Sequence, residues 1–579
     1  VHGEYGHRKA EDVIVRGFCY DIAMEKEADF PIDERHIYKS SIPFETRIED
    51  IECTCKGELE IACKRILPTA TNTERVIVYN SCKRTLFAAL KRQLKKVIPP
   101  NPNVAKELNK FMDIYFEKYI KEHLDTFDYS YSEWFNEMPR NKQDALNLRD
   151  KTIPDNNTYG IFCKREKQQF GGKNRAISNI SQEAKYLTGP VIWALESIAD
   201  KNFPGYCGKK NWNDIETFFS RAYKRGFRTV IQGDGSAFDL SQHYENKYID
   251  RLIHSYLADN NKIHHADPDD YKRVMNARFR KMRAQYVEHK KLITLATAKI
   301  DSTVFSGSTD TTFGNTLRMA IYNMFTLEQA GLRYEEDYLL LCKGDDFLIL
   351  VKDDTLNYQA IYDKYWCKPI KNPQKHDYTP YGIGVILKFL KIGDYSTLDF
   401  CSTICIPDFE QGIFKLARKP TRMNPLAHYS RAALSMSAVE LKQYLMDQAM
   451  AIRISMPNMP FFEDYADAFE YHANLIEGTP VLKTQGRVKL VLEDDHHKKT
   501  GVDKETKYIT KYQAYERDFA MGLALRESET QISRELVYKF FLDKFGMTQQ
   551  YITKHATMLK SNNILPIYDI LEANWVVDE

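Results

Sequence analysis

Two uninterrupted apolar runs, Tyr338–Cys342 and Phe347–Val351, stand on either side of Lys343, Gly344, Asp345 and Asp346. Each run has strand length, and glycine with aspartates between them is a tight-turn signal, so the pattern predicts a β-hairpin. A second apolar strand, around Val230 and Ile231, runs into the glycine-flanked Asp234, and Asp239 follows within the same stretch. Val385–Leu390 and Phe400–Ile406 read as further extended pieces. Helical spacing appears at Leu86, Leu90 and Leu94, ended by the PPNPN stretch at 99–103, and again from Val104 to about His123. The small-residue loop Ser306–Thr316 opens what reads as an amphipathic helix through Leu317, Ile321, Met324 and Phe325. Val274, Met275, Phe279 and Met282 keep a helical period through the basic stretch 272–291. Beyond Pro407 the pattern is mainly helical, as at Ala432–Ile452 and Thr530–Phe545. In the second of these Ile532, Leu536, Val537 and Phe540 share a face, and Gly546 is a stop.

With 579 residues the chain is long enough for several domains or one large, lobed one. Its 82 basic and 80 acidic residues nearly cancel, so any affinity for an anionic partner must come from local blocks. The aromatic and hydrophobic content is that of a folded globular protein. No apolar run reaches the length of about 18 residues expected of a membrane span, and no signal peptide is expected. Opening on Val1 and not Met, the chain is expected to be a processed or partial product. Its 11 cysteines are scattered and odd in number, which suits a reducing, cytosolic setting better than a disulfide framework. Cys53, Cys55, Cys63 and Cys82 cluster, but their spacing is not a standard zinc pattern, so reduced cysteines are the expectation there.

Chemistry gathers at three places. The hairpin aspartates are flanked by strands apolar enough to be buried. Adjacent carboxylates held there repel each other and lose solvation unless a cation compensates them. Asp-Asp pairs also occur at 269–270, 353–354 and 494–495, so the dipeptide alone carries little. If the strand ending at Asp234 neighbours the hairpin, however, Asp234, Asp345 and Asp346 converge. Three hard oxygen donors then suit two Mg²⁺ ions, with Mn²⁺ as a substitute. The third place is 161–175, where Lys164, Arg165, Lys167, Lys173 and Arg175 face only Glu166 around Gly171-Gly172. That is a cationic, hairpin-like loop able to cradle a triphosphate. No Walker loop occurs, which argues against a helicase. The basic face at 84–97 could meet phosphates but reads more readily as a solvated helix face, the one at 272–291 suits nucleic acid or plain solvent, and His496-His497 reads as solvated.

Three motifs, Asp234-x4-Asp239, Ser306-Gly307-x3-Thr311-x3-Asn315 and Gly344-Asp345-Asp346, resemble in order and spacing motifs A, B and C of viral RNA-dependent RNA polymerases. Lys164–Arg175 resembles motif F, Gly384–Lys388 motif D, and Phe400-Cys401-Ser402 motif E. The resemblance covers residues 161–406. The Phe-Cys-Ser triplet and the segment Tyr129–Phe135 are most similar to the tombusvirus-like and nodavirus-like positive-strand group, whose motif A usually carries a basic residue where this chain has Ala237.

This resemblance implies an α+β right-hand fold of fingers, a palm on an antiparallel sheet, and a mainly helical thumb. Residues 1–160 would form an N-terminal region with fingertips, 161–229 fingers with the basic loop, and 230–254 palm. Fingers would resume at 255–300, palm at 301–406, and thumb with a C-terminal region at 407–579. Asp234, Asp345 and Asp346 would hold the metals. Asp239 with Thr311 and Asn315 would read the ribose 2′-OH, and Ser306-Gly307 would form the loop under the template–NTP pair. Lys164, Lys173 and Arg175 would contact NTP phosphates. Arg165, Lys167, Gly307, Cys401 and Ser402 would meet template or primer. Lys388, or Lys391 close by, would protonate pyrophosphate. Partners would be template RNA, nascent RNA, NTPs and viral replication cofactors, in host cytoplasm at membrane-associated replication complexes. A reverse transcriptase shares the palm logic but has no need of 2′-OH ligands. A non-catalytic RNA-binding factor would leave the carboxylates as turn formers.

Overall fold

The computed structural model describes residues 45–48, 64–68, 76–77, 85, 89, 100–148, 158–164, 168–169, 175–288, 291–301, 303–366, 382–423, 426–430, 432–478 and 531–561. The four clustered cysteines, most of the helix expected at 84–97, and His496-His497 lie outside these residues. The protein mixes helices with sheets that are largely antiparallel.

Its centre is a four-stranded sheet of β1 (Thr229–Gly235), β2 (Tyr338–Lys343), β3 (Asp346–Val351) and β4 (Leu387–Gly393), in the order β2-β3-β1-β4 and antiparallel throughout. The expected hairpin is β2 and β3. Side chains alternate between the faces of a strand. Ile231, Leu340, Cys342, Phe347 and Ile349 belong to one apolar core, and Val230, Leu339, Leu341, Leu348 and Leu350 to another on the opposite face. Burial on both faces explains why these strands read as continuous apolar runs and not as alternating ones.

Among the helices that contribute to the first of those cores are α1 (Tyr248–Asp259) and α2 (Thr311–Glu328). The amphipathic reading of α2 is corrected: it is buried at every position from Phe313 to Leu327. Its polar residues are bonded to neighbours in place of water. Asn323 accepts from the Tyr362 hydroxyl at 2.5 Å and Thr326 from the Trp366 indole at 2.9 Å, which is how a helix without a polar face stays satisfied.

A second sheet takes the order 45–48, 291–301, 279–288, 158–163, 176–180. Here the helical reading of 272–291 fails. A short helix, Pro268–Met275, gives way to the strand Phe279–Glu288. Arg280, Met282 and Ala284 are buried while Lys281 and Arg283 are exposed, a period of two that the apolar residues alone concealed because an arginine occupies an inward position.

The helix expected from Val104 begins at Pro102, capped by Asn101, and runs through a π-helical turn, Phe116–Ile120, to Asp125. The piece expected as one strand at 400–406 is broken by a turn at Cys401-Ser402 and resumes as Thr403–Asp408, paired with Ile413–Arg418. Pro407 is tolerated there because the short strand Asp399–Phe400 reaches only to Thr403 and Ile404. Helices Ala438–Ser455, Phe462–Asn474, Arg534–Phe545 and Gln549–Leu559 follow around their own core. Gly546 ends the third in a left-handed cap, φ +67°. Among the described residues no helix is long and apolar enough to cross a membrane.

Candidate active site

The register of β1 against β3 sets Asp234 directly opposite Asp346, and the turn that carries Asp345 lies beside them. The Gly235 N–H donates to the Asp345 carbonyl at 3.3 Å, tying the turn to the end of β1. Gly344 has φ +65°, a conformation a glycine adopts without strain. Its N–H donates to the Thr316 hydroxyl of α2 at 2.9 Å, so the carboxylate turn is pinned from below by a residue that sequence reasoning passed over.

Crowded carboxylates leave an electrostatic signature. Burial, then the charges of Asp234 and Asp346, push Asp345 up to about 6, and Asp239 adds to the same field. Burial and Asp234 also raise Asp346, against a thiol and a backbone hydrogen bond from Cys401. Cys401 and Ser402 both have positive φ, +52° and +63°, as a two-residue hairpin turn of the primed kind requires. That turn brings Cys401 to Asp346, while the Ser402 hydroxyl accepts from Arg422 at 3.3 Å.

Lys388 supplies the local cation. The pairing of β4 with β1 shifts between Leu387 and Phe389, making Lys388 the extra residue of a β-bulge. Bulges re-aim side chains, and here Nζ lies 2.8 Å from Asp234 Oδ2. The hydrogen bond to Asp234 holds the Lys388 ammonium above its ordinary range. Lys391 instead donates to the Thr397 carbonyl at 3.0 Å, so of the two lysines Lys388 is the one at the carboxylates.

The second group sits on the loop and first turns of α2. Asn315 Nδ2 donates to Asp239 Oδ1 at 2.7 Å. The Thr311 hydroxyl turns back onto its own loop, 2.7 Å from the Phe305 carbonyl and 3.0 Å from that of Ser308. The Ser306 hydroxyl is buried with no hydrogen-bond partner. Gly307 presses against the strand Ala176–Ile180. The basic loop is a hairpin connection as expected: Cys163 pairs with Ala176, and the Lys164 N–H donates to the Arg175 carbonyl at 2.7 Å. Arg165, Lys167 and Lys173 lie outside the described residues.

A buried charged layer that sequence reasoning missed lies beneath the loop. Arg280 donates to the Tyr159 hydroxyl at 3.3 Å, and Tyr159 reaches Ser308, which bonds Asp310. Burial alone would raise the Asp310 carboxyl, but Arg280 and Ser308 outweigh it and hold it below its ordinary value. The available signal was an arginine or aspartate set in an otherwise apolar period, as at Arg280 and Arg318.

Among the described residues no three His, Cys, Asp or Glu side chains converge tightly enough to enclose a metal ion by themselves. The donor set nevertheless suits a divalent cation. It is oxygen only and like-charged, with Asp234 and Asp346 partly buried, and Mg²⁺ commonly takes one or two carboxylates and fills its shell with water and substrate phosphates. No model of a known protein family matches this chain, and no curated protein matches it either.

Proposed function

We propose that the chain is an RNA-directed RNA polymerase with a right-hand architecture, its palm built on β1 to β4. The observation that carries the reading is the register of β1 on β3, which joins Asp234 to Asp345 and Asp346 at one sheet end, with the Asp239–Asn315 hydrogen bond beside them. Residues from three separate motifs thus supply a carboxylate cluster and a polar pair suited to a sugar hydroxyl.

Asp234 and Asp345 would hold two Mg²⁺ ions, with Asp346 in a secondary role. When bound, such ions lower the pKa of an attacking hydroxyl and stabilise charge on the leaving oxygen. Asp239 and Asn315 favour a ribonucleotide, because a site built to bond a hydroxyl rejects the analogue lacking it. Lys164 and Arg175 neutralise the triphosphate. Lys388 holds a proton at Nζ for the departing pyrophosphate. RNA binds through its backbone and weakens with salt.

The test is template-directed extension with Mg²⁺ or Mn²⁺, with and without a primer, offering NTPs and dNTPs side by side to wild type and Asp345→Ala. NTP incorporation that disappears in the variant is expected. Preferred dNTP use would make the chain a reverse transcriptase, and activity retained in Asp345→Ala would reduce the carboxylates to turn residues.

Lys388→Met should slow single-turnover incorporation by about 10²-fold, the lower range for loss of a general acid. Lys391→Met, whose ammonium is engaged at Thr397, should change it by only a few-fold. The reverse ranking would transfer the acid role to Lys391.

A further inference from the structure

Arg318 is 1% exposed, in the middle of a helix buried all round. Its Nη1 bonds Asp250 Oδ2 on α1, and its Nη2 donates to Asn315 Oδ1 at 2.7 Å. We propose that Arg318, anchored by Asp250, is a positioning residue that fixes the Asn315 amide and thereby sets discrimination at the sugar 2′ position. The inference rests on the polymerase reading.

The chemistry of the groups determines the orientation. A guanidinium has donors and no acceptor, so the Asn315 atom facing it must be the carbonyl oxygen. The amide nitrogen then necessarily faces Asp239, where it donates at 2.7 Å. That nitrogen carries two hydrogens. One is committed to Asp239, and the other remains for an incoming hydroxyl. A hydroxyl that itself donates to Asp239 would compete with Asn315 for that carboxylate. The bond to Arg318 is the one that such a ligand does not disturb, so Arg318 holds the amide while the other end exchanges partners.

Two further features argue that the pair serves something other than stability. It is incompletely satisfied, since Arg318 Nε and Asp250 Oδ1 are buried without hydrogen-bond partners. A buried ion pair in that state is often no better than apolar residues of the same volume. Space is also reserved for it: a Cβ on Gly314 would come within 2.8 Å of Arg318 Nη1 and 3.0 Å of Asp250 Oδ1. Any side chain there would push the fork away from Asn315.

The experiment compares wild type, the double variant Arg318→Met/Asp250→Asn, Gly314→Ala, and Asn315→Ala as the benchmark. Each is measured for kcat/KM with an NTP and with its dNTP, alongside thermal unfolding. The double variant removes both charges together and leaves no lone buried ion, and Gly314→Ala keeps both charges but displaces them. We expect the NTP-to-dNTP ratio to fall by about tenfold or more in both, toward that of Asn315→Ala, as for loss of one buried polar contact. The midpoint of unfolding of the double variant should stay level or rise. KM for the NTP should rise more than kcat falls. Folded variants that keep the wild-type ratio overturn the proposal while leaving the polymerase reading intact. A wild type that incorporates neither nucleotide overturns that reading, and this inference with it.

Discussion

Asp345→Asn is expected to abolish nucleotide addition and, at the same time, to stabilise the metal-free fold. The two effects share one cause. Asp345 has its carboxyl pushed up to about 6 by burial and by Asp234 and Asp346, against an ordinary value of about 3.9. Between those values the folded chain binds more protons than the unfolded one, so stability falls as pH rises through that window. Above about pH 6 the ionised carboxylate imposes its full cost. The carboxyl is crowded by protein and by its neighbouring charges, yet the residue as a whole stays open to solvent at the turn, which screens much of the repulsion, so the cost is about 1 kcal/mol and not the full conversion of the shift. The Asn variant should therefore show a flatter stability profile between pH 4 and about 6, and a higher denaturation midpoint than wild type at neutral pH in the presence of a chelator. Adding Mg²⁺ should raise the wild-type midpoint and leave the variant nearly unmoved. Loss of activity should reach about 10³-fold, as for removal of several kcal/mol of charge stabilisation. A variant less stable than wild type at neutral pH, or equal stabilisation of both by Mg²⁺, would show that these carboxylates are not organised around a cation.

Much of this site was legible because the physics that builds it is local. A strand buried on both faces must be apolar throughout, so Tyr338–Cys342 and Phe347–Val351 announced themselves, and the turn between them had to contain Gly344 and the aspartates. The meeting of Asp234 with Asp346 was conditional on strand neighbourhood, a long-range fact that the β1–β3 register supplies. What could not be read was polar chemistry inside apolar periods. Arg280 and Arg318 look like breaks in a hydrophobic pattern, and only their partners Tyr159 and Asp250, distant in sequence, show them to be inward-facing. Arg280 also caused the misreading of 279–288 as helical, because counting only apolar residues skipped the inward position it holds. The choice between Lys388 and Lys391 depended on a β-bulge, which no sequence spacing reveals.

Gly307→Ala is expected to damage both stability and activity, and for a reason different from that of Gly344. A Cβ at 307 would lie 1.6 Å from the Ser178 carbonyl oxygen and 2.6 Å from its carbonyl carbon. Both atoms belong to the backbone of a strand paired with Thr158–Cys163, so nothing flexible can yield. The loop and the strand must separate. Their neighbours would feel it, because Phe305 stacks on Tyr159 at 4.4 Å and Ser308 reaches the same tyrosine at 3.2 Å. Overpacking of this kind costs about 1–3 kcal/mol. Separation would also carry the first turns of α2, and Asn315 with them, away from Asp239. We expect incorporation to fall by about 10²-fold, since a displacement near 1 Å is enough for such a loss. Gly344→Ala isolates the steric cause. Gly344 has φ +65° but nothing within 4 Å of an added Cβ, so its substitution should cost only the left-handed backbone penalty of about 1–2 kcal/mol. Denaturant midpoints for the two variants, with extension rates on the same template, check the contrast. If Gly307→Ala proves as mild as a surface substitution while Gly344→Ala carries its backbone penalty, the loop and strand do not press together, and the coupling between the basic hairpin's sheet and α2 must be sought elsewhere.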